Sequence, residues 1–252
     1  MADKLLGYRT RISISDIVID SLTMEETIAI VNDYIIKNEP LHLMGVNADK
    51  INLANKNIEV KKIINDCGVI NADGASVILA AKFLNKPLPE RVAGIDLMTK
   101  LLALSNEKRY GIYFLGAEES TLLKMIDILK KEYPKINILG YRNGYFEDSE
   151  YNNIREEILN CNPEIVFIGI TSPKKEILIK KLQTDNLKSV FMGVGGSFDV
   201  LSGKISRAPE WMQNNNLEWL FRVYKEPKRL FKRYFVGNIT FIKRVMQEKN
   251  GK

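Results

Sequence analysis

The sequence predicts an α/β protein, with a mostly parallel sheet carrying helices on both faces and a basic helical appendage after it. Three observations carry this. Short apolar runs alternate with amphipathic stretches at βα spacing between Leu41 and Met192. Several of these runs end in glycine or in an Asn-Ala-Asp turn, as strands do where they hand over to helices at the ligand-bearing edge of an open sheet. Beyond Pro227, apolar residues recur at helical spacing with lysines and arginines between them. The architecture so defined is Rossmann-like, with a core over residues 1–203 and the appendage over 204–252.

Arg11 to Asp20 alternates isoleucine and valine with polar residues, which fits a strand or hairpin. Thr23 ahead of Met24-Glu25-Glu26 is a cap for a helix through Ile35. Leu41 to Val46 reads as a buried strand entering Asn47-Ala48-Asp49, and Ile51 to Ile64 as one helix. The run at Val69-Ile70 turns at Asn71 to Ser76 into a helix over Val77 to Leu84. A proline-marked loop, Asn85 to Pro89, then leads through Glu90 to Leu97 into another helix. Further strands are expected at Gly111 to Leu115, Ile136 to Tyr141, Ile165 to Ile168 and Val190 to Met192. Helices at Glu118 to Tyr133, Tyr151 to Leu159 and Lys174 to Leu182 separate them.

A chain of 252 residues with 45% hydrophobic content is long enough to bury one large core. Cys67 and Cys161 stand far apart, which speaks against a disulfide scaffold and for a reduced, cytoplasmic protein. With His42 as the single histidine, a zinc cluster or a Cys-His pair has little to build with. Met1 to Arg11 lacks the apolar core of a signal peptide, and no uncharged run is long enough to cross a bilayer. The net charge of +6 is uneven: of 37 Lys and Arg and 31 acids, ten bases and two acids lie from Arg222 onward, leaving 27 and 29 before it. A tail of that kind suits an anionic partner such as nucleic acid, a membrane surface or a phosphorylated substrate.

Asp73, in Asn71-Ala72-Asp73-Gly74, stands where the strand ends and a helix begins. A carboxylate there can act as a general base, orient a ribose or cap the helix that follows. The glycines at strand ends, among them Gly195 and Gly196, let backbone amides approach a phosphate. The dinucleotide fingerprint and the P-loop are missing. No Asp-x-Asp pair is present to hold a metal against a nucleotide diphosphate, so cations would take its place, with Arg91, Arg207, Arg222 and Arg229 as candidates. Trp211 and Trp219 are expected to be buried in a helical corner.

Seven ordered stretches resemble the WecG/TagA/CpsF family of bacterial glycosyltransferases. They are Val46 to Asp49, Asn71 to Gly74, Glu90 to Leu97, Ser172 to Glu176, Gly193 to Asp199, Arg207 to Trp211, and Leu217 to Arg222 continuing into Glu226 to Arg229. The resemblance implies a GT-E type fold and an inverting, metal-independent transfer without cofactor. The sugar would move from a UDP-sugar to a polyprenyl-diphosphate-linked sugar at the inner face of the cell membrane, in the synthesis of capsule, teichoic acid or another surface polymer. Asp73 then matches the general base, and Arg222 and Arg229 match appendage arginines that stabilise the leaving diphosphate. Asn47 matches the nucleotide-sugar pocket and Asp199 the neighbourhood of the uracil. Asn71, Arg91, Gly195, Gly196 and Arg207 fall in the matched motifs as further substrate contacts. Two positions depart. Gly45 stands where the N-acetylmannosamine transferases carry threonine, and Lys175 where they carry glutamine. Both are sugar-site positions, so N-acetylmannosamine, glucose, galactose and an acidic sugar stay open as the transferred group, and Lys175 could pair with a carboxylate on the last.

The basic tail would bind an anionic membrane surface as well as close over the diphosphate, and the core is free to form a homo-oligomer. A nucleic-acid-binding protein using the tail is the alternative of another class, without any reading motif behind it. A Rossmann-type oxidoreductase lacks its fingerprint.

Overall fold

The computed structural model describes residues 9–184, 187–215, 217–225 and 227–251, and the side chains of 184, 214 and 228–234 lie outside the described set. The chain opens with an antiparallel hairpin, β1 (Arg11–Ile14) and β2 (Ile17–Asp20). The buried Asp20 carboxylate fastens it to the main sheet by accepting from the Ile70 amide at 2.7 Å, while the Arg11 guanidinium, 2.8 Å away, pairs with it within the hairpin. Helix α1 (Met24–Lys37) begins with the expected capping box, in which Thr23 and Glu26 satisfy each other's backbone amides.

Strand β3 (Leu41–Val46) follows, then α2 (Ala48–Ala54) and α3 (Ile58–Asn65). The sequence predicts one helix over this stretch. It divides because the Asn57 side chain accepts from the Glu59 and Val60 amides and starts a second helix. Next come β4 (Val69–Ala72), α4 (Ala75–Phe83), α5 (Gly94–Lys108), β5 (Gly111–Gly116), α6 (Glu119–Glu132) and β6 (Asn137–Arg142). The core closes with α7 (Tyr151–Cys161), β7 (Ile165–Gly169), α8 (Lys174–Thr184), β8 (Val190–Gly193) and the short α9 (Ser197–Leu201).

The main sheet has six strands in the order β4-β3-β8-β7-β5-β6, and every neighbouring pair is parallel. Side chains alternate across it as the pleat requires. Leu43, Phe114, Phe167 and Met192 face α1, α5 and α6, while Met44, Leu115, Ile168 and Phe191 face the helices of the other side. On the first face Phe114 stacks on Phe167 at 5.8 Å between ring centroids and meets Phe198 of α9 edge-on at 5.7 Å.

From β3 the chain moves outward to β4, then crosses to β5 and works back through β7 to β8, which lies beside β3. That reversal of strand order opens a crevice at the carboxyl ends of β3 and β8.

The appendage comprises α10 (Glu210–Asn214), α11 (Glu218–Lys225) and α12 (Pro227–Lys249). Phe241 and Val245 of α12 are buried in the cluster that also holds Ile14, Ile51 and Val77. Gly237 permits the close approach, since a Cβ there would lie 2.6 Å from Asp49 Oδ1, and its carbonyl accepts from Asn52 Nδ2 at 2.8 Å. The tryptophans depart from expectation. Trp211 is 61% and Trp219 40% exposed, because α10 and α11 sit on the rim of the crevice and Met212 takes the inward position.

His42 of β3 is buried, and its Nε2 has no hydrogen-bond partner among the described residues. Burial first, and then the Lys50 charge, depress its pKa to about 3. The unfolded chain takes up a proton near pH 6.5 and the folded one near pH 3, so stability falls as pH drops through that window. Denaturant titrations at pH 7 and pH 5 should differ by about 2 kcal/mol in the native chain. In His42→Leu the difference should largely vanish; the same loss in both would show that another group drives it.

Candidate active site

One cleft runs across the crevice and encloses about 2120 Å³. A single small-molecule pocket is typically about 300–1,000 Å³, so there is room for two substrates together. Gly45, Asn47, Asn71, Asp73, Arg91, Lys175, Gly195, Gly196, Asp199, Arg207 and Arg222 all line it. Residues scattered over most of the chain thus meet in one place. The Arg229 side chain lies outside the described residues.

Asp73 follows β4 directly, and its amide donates to the Val46 carbonyl at 2.9 Å, which draws the ends of β4 and β3 together. Its side chain does not cap α4, whose N-cap is Gly74 without any side-chain bond. Instead Oδ1 accepts at 2.9 Å from the amide of Gly94, the first residue of the 15-residue α5. The helix N-terminus therefore holds one oxygen of the carboxylate. The other, Oδ2, lies 3.7 Å from the point a Cβ on Gly45 would occupy. A fixed carboxylate that lines the cleft is what a proton acceptor requires.

Beside it, α8 brings Lys175 to the cleft and buries Glu176 behind it. Glu176, 1% exposed, accepts from Lys50 Nζ at 2.8 Å and Ser172 Oγ at 2.9 Å, with Lys175 Nζ at 3.7 Å. Burial opposes its charge, but Lys50 and Lys175 outweigh that and hold its pKa at about 2. Lys175 is itself buried. Desolvation, followed by repulsion from Lys50, lowers its pKa to about 8, although Glu176 and Asp73 pull the other way. Its stem lies against Gly193, and Nζ comes within 3.9 Å of the Cβ position of Gly195. Gly195 has φ of +54°, a left-handed conformation that turns the chain away from β8 at the cleft floor.

On the appendage side, Arg91 and Arg207 share Glu218 of α11. Arg91 Nη2 donates to Oε2 at 2.8 Å and Arg207 Nε to Oε1 at 3.3 Å, while Arg207 Nη2 reaches Asp96 at 2.5 Å. Burial works against the Glu218 charge, yet the two guanidiniums keep its pKa below the ordinary glutamate value. Both arginines line the cleft, but their first role in the structure is to anchor α11. Asn47 is likewise committed, capping α2 by accepting from the Lys50 amide at 3.0 Å, and the buried Asn71 accepts from Thr27 Oγ1 at 3.2 Å. Asp199 stands near Lys204 Nζ at 3.8 Å on the far wall. Arg222 is exposed in the cleft.

The sequence reading did not single out Gly94, Glu218, Lys50 or Glu176 for these roles. The first two sit in quoted motifs, as does Glu176, but Lys50 carries no signal of its own because its partner is 126 residues away.

A family model described as "Glycosyl transferase WecG/TagA/CpsF family" matches residues 12–252. The chain belongs to that family. It is a glycosyltransferase. Among its relatives are two proteins named N-acetylglucosaminyldiphosphoundecaprenol N-acetyl-beta-D-mannosaminyltransferase. The one from Bacillus spizizenii strain W23 is 32% identical over 196 residues, covering 78% of this chain and 76% of the relative. The one from Bacillus subtilis strain 168 is 34% identical over 184 residues, covering 73% and 71%. Among the described residues of the glycosyltransferase no helix is long and apolar enough to cross a membrane.

Proposed function

We propose that this glycosyltransferase moves a sugar from a UDP-sugar to a sugar carried on a polyprenyl diphosphate, with inversion, without a metal, and in the building of a bacterial surface polymer. The observation that carries the reading is Asp73, held on Oδ1 by the α5 N-terminus and lining the cleft. The acceptor hydroxyl attacks the anomeric carbon and gives its proton to Asp73. A new C–O bond forms as the bond from that carbon to the diphosphate oxygen breaks, and UDP departs with the electron pair. Cations of the appendage, Arg222 and Arg229 among them, neutralise the charge that develops on the leaving group, and Asp199 lies toward the uracil. The names of the two relatives, which specify a lipid-linked acceptor, support that half of the reading.

The appendage over residues 204–252 completes the site and sets it on the inner face of the membrane. Its α12 exposes Phe235, Val236, Ile239, Ile242 and Met246, beside Leu79 and Phe83 of α4. Basic residues interspersed along the tail add about 1 kcal/mol each toward anionic lipid.

The test is UDP release from a panel of UDP-sugars with a short-chain lipid-diphosphate-GlcNAc acceptor, in EDTA. Turnover of one donor is expected, and loss of turnover in EDTA would refute the metal-free mechanism. Arg222→Ala should weaken UDP binding about tenfold by calorimetry, the worth of one charge-assisted contact. Unchanged affinity and unchanged turnover would remove Arg222 from the site.

A further inference from the structure

We infer that the cleft has an apolar compartment between α4 and α12 that holds the first isoprene units of the acceptor's carrier as a single chain, an inference resting on the lipid-linked acceptor proposed above. The cleft does not end with its polar residues. Its lining continues along α4 through Leu79 and Phe83 and along α12 through Val236, Ile242 and Met246. Each of these five side chains is half or more exposed. Apolar groups left open to water in a continuous strip mark a surface that an apolar partner covers.

Helix α4 sets the direction of that partner. Its N-cap is Gly74, the neighbour of Asp73, and the helix then leads away from the base. One stripe of it, Val77, Ala81 and Leu84, is buried in the core. Another stripe lines the cleft and changes character along its length, from Ser76 to Leu79 and then to Phe83. At the rise of a helix, Phe83 lies about 10 Å beyond Ser76. A ligand along α4 thus has its polar end near Asp73 and its hydrocarbon end near Phe83. The two substrates differ in this respect. A UDP-sugar is polar throughout, whereas the acceptor carries its reacting sugar, a diphosphate and an isoprenoid chain in that order. The concave setting also separates this compartment from a membrane-docking face, because a cleft encloses one chain from two sides. Phe235 and Ile239 of α12 are exposed without lining the cleft, and they are what a bilayer would meet.

The experiment follows UDP release by the full chain, without detergent or vesicles and below the aggregation limit of each acceptor. The donor is the one that turns over in the panel above, and the acceptors are GlcNAc-diphosphates carrying one or three isoprene units. A buried methylene is worth about fourfold in affinity, so enclosing only three carbons of the longer chain should raise kcat/KM by about 50-fold. Leu79→Gln combined with Met246→Gln should bring the two acceptors within a few-fold of each other. A diazirine on the last isoprene of the longer acceptor gives a readout apart from turnover, and its label should fall on peptides of α4 and α12. Equal kcat/KM for the two acceptors in the unmodified protein overturns the inference without needing any variant. So does a preference that survives the double substitution, a label confined to other segments, or a preference that appears only when anionic vesicles are added, which would place the chain in the bilayer. If neither acceptor turns over with any donor of the panel, the lipid-linked acceptor reading fails and this inference falls with it.

Discussion

Asp73→Asn is expected to lower kcat by about 100- to 10,000-fold, the usual worth of a positioned general base, while leaving the fold and UDP binding intact. The expectation follows from the two jobs proposed for the carboxylate. Oδ1 accepts from the Gly94 amide at 2.9 Å and so closes the start of α5, and an asparagine carbonyl can accept the same bond. The proton acceptor, by contrast, is lost, because an amide takes no proton at neutral pH. Asp73→Ala separates the jobs further. It removes the cap as well and should cost about 1 kcal/mol of stability, or about 2–4 °C in melting temperature for a chain of this size. Acceptor-dependent UDP release and thermal melting on both variants decide the matter. If the asparagine variant turns over within a few-fold of the native rate, Asp73 is a helix cap and the base must be sought elsewhere.

Much of this site was legible before any coordinates, for a physical reason. Parallel strands must end together at one edge, so turn residues at the ends of successive apolar runs fall close in space however far apart they are in sequence. Asn47, Asp73, Gly195 and Gly196 are of this kind, whereas Gly45 lies within β3 and is marked only by the family resemblance. Bonds between distant side chains are not legible that way. The reach of Asp73 to Gly94 depends on where the crossing helix starts, and Glu218 joins Arg91 to Arg207 only after α11 has docked. Asn57 ahead of Ile58-Glu59 does carry a cap signal, which the continuous apolar periodicity from Ile51 to Ile64 concealed. The tryptophans misled for the opposite reason. Their size argues for burial, but short helices on a rim leave Trp211 61% and Trp219 40% exposed.

Glu176→Gln is the substitution expected to damage the fold most. The carboxylate stands between two ammonium groups whose side chains are each only 10% exposed, Lys50 at 2.8 Å and Lys175 at 3.7 Å. Removing its charge leaves both cations buried without a full counter-charge, a change that typically costs about 3–5 kcal/mol. For a chain of this length that corresponds to roughly 6–20 °C in melting temperature. The loss should depend on pH in a defined direction. The Glu176 pKa is held at about 2 against an ordinary 4.5, so its stabilisation is present above about pH 4.5 and disappears as pH falls toward 2. Native and variant curves should therefore converge in acid. Replacing both partners, Glu176→Met with Lys50→Met, should recover much of the stability, since an apolar pair leaves fewer unpaired charges than a broken ion pair. The consequence reaches the chemistry because of where the pair sits. Lys50 belongs to α2, which follows β3 and carries Asn52 and Asp49 against Gly237 of the appendage, and Glu176 belongs to α8, which precedes β8. The pair therefore ties together the two helices that flank the strand reversal, and through α2 it links the appendage to the floor of the cleft. A Glu176→Gln variant that melts like the native protein would mean that solvation, and not the carboxylate, offsets the burial of those two lysines.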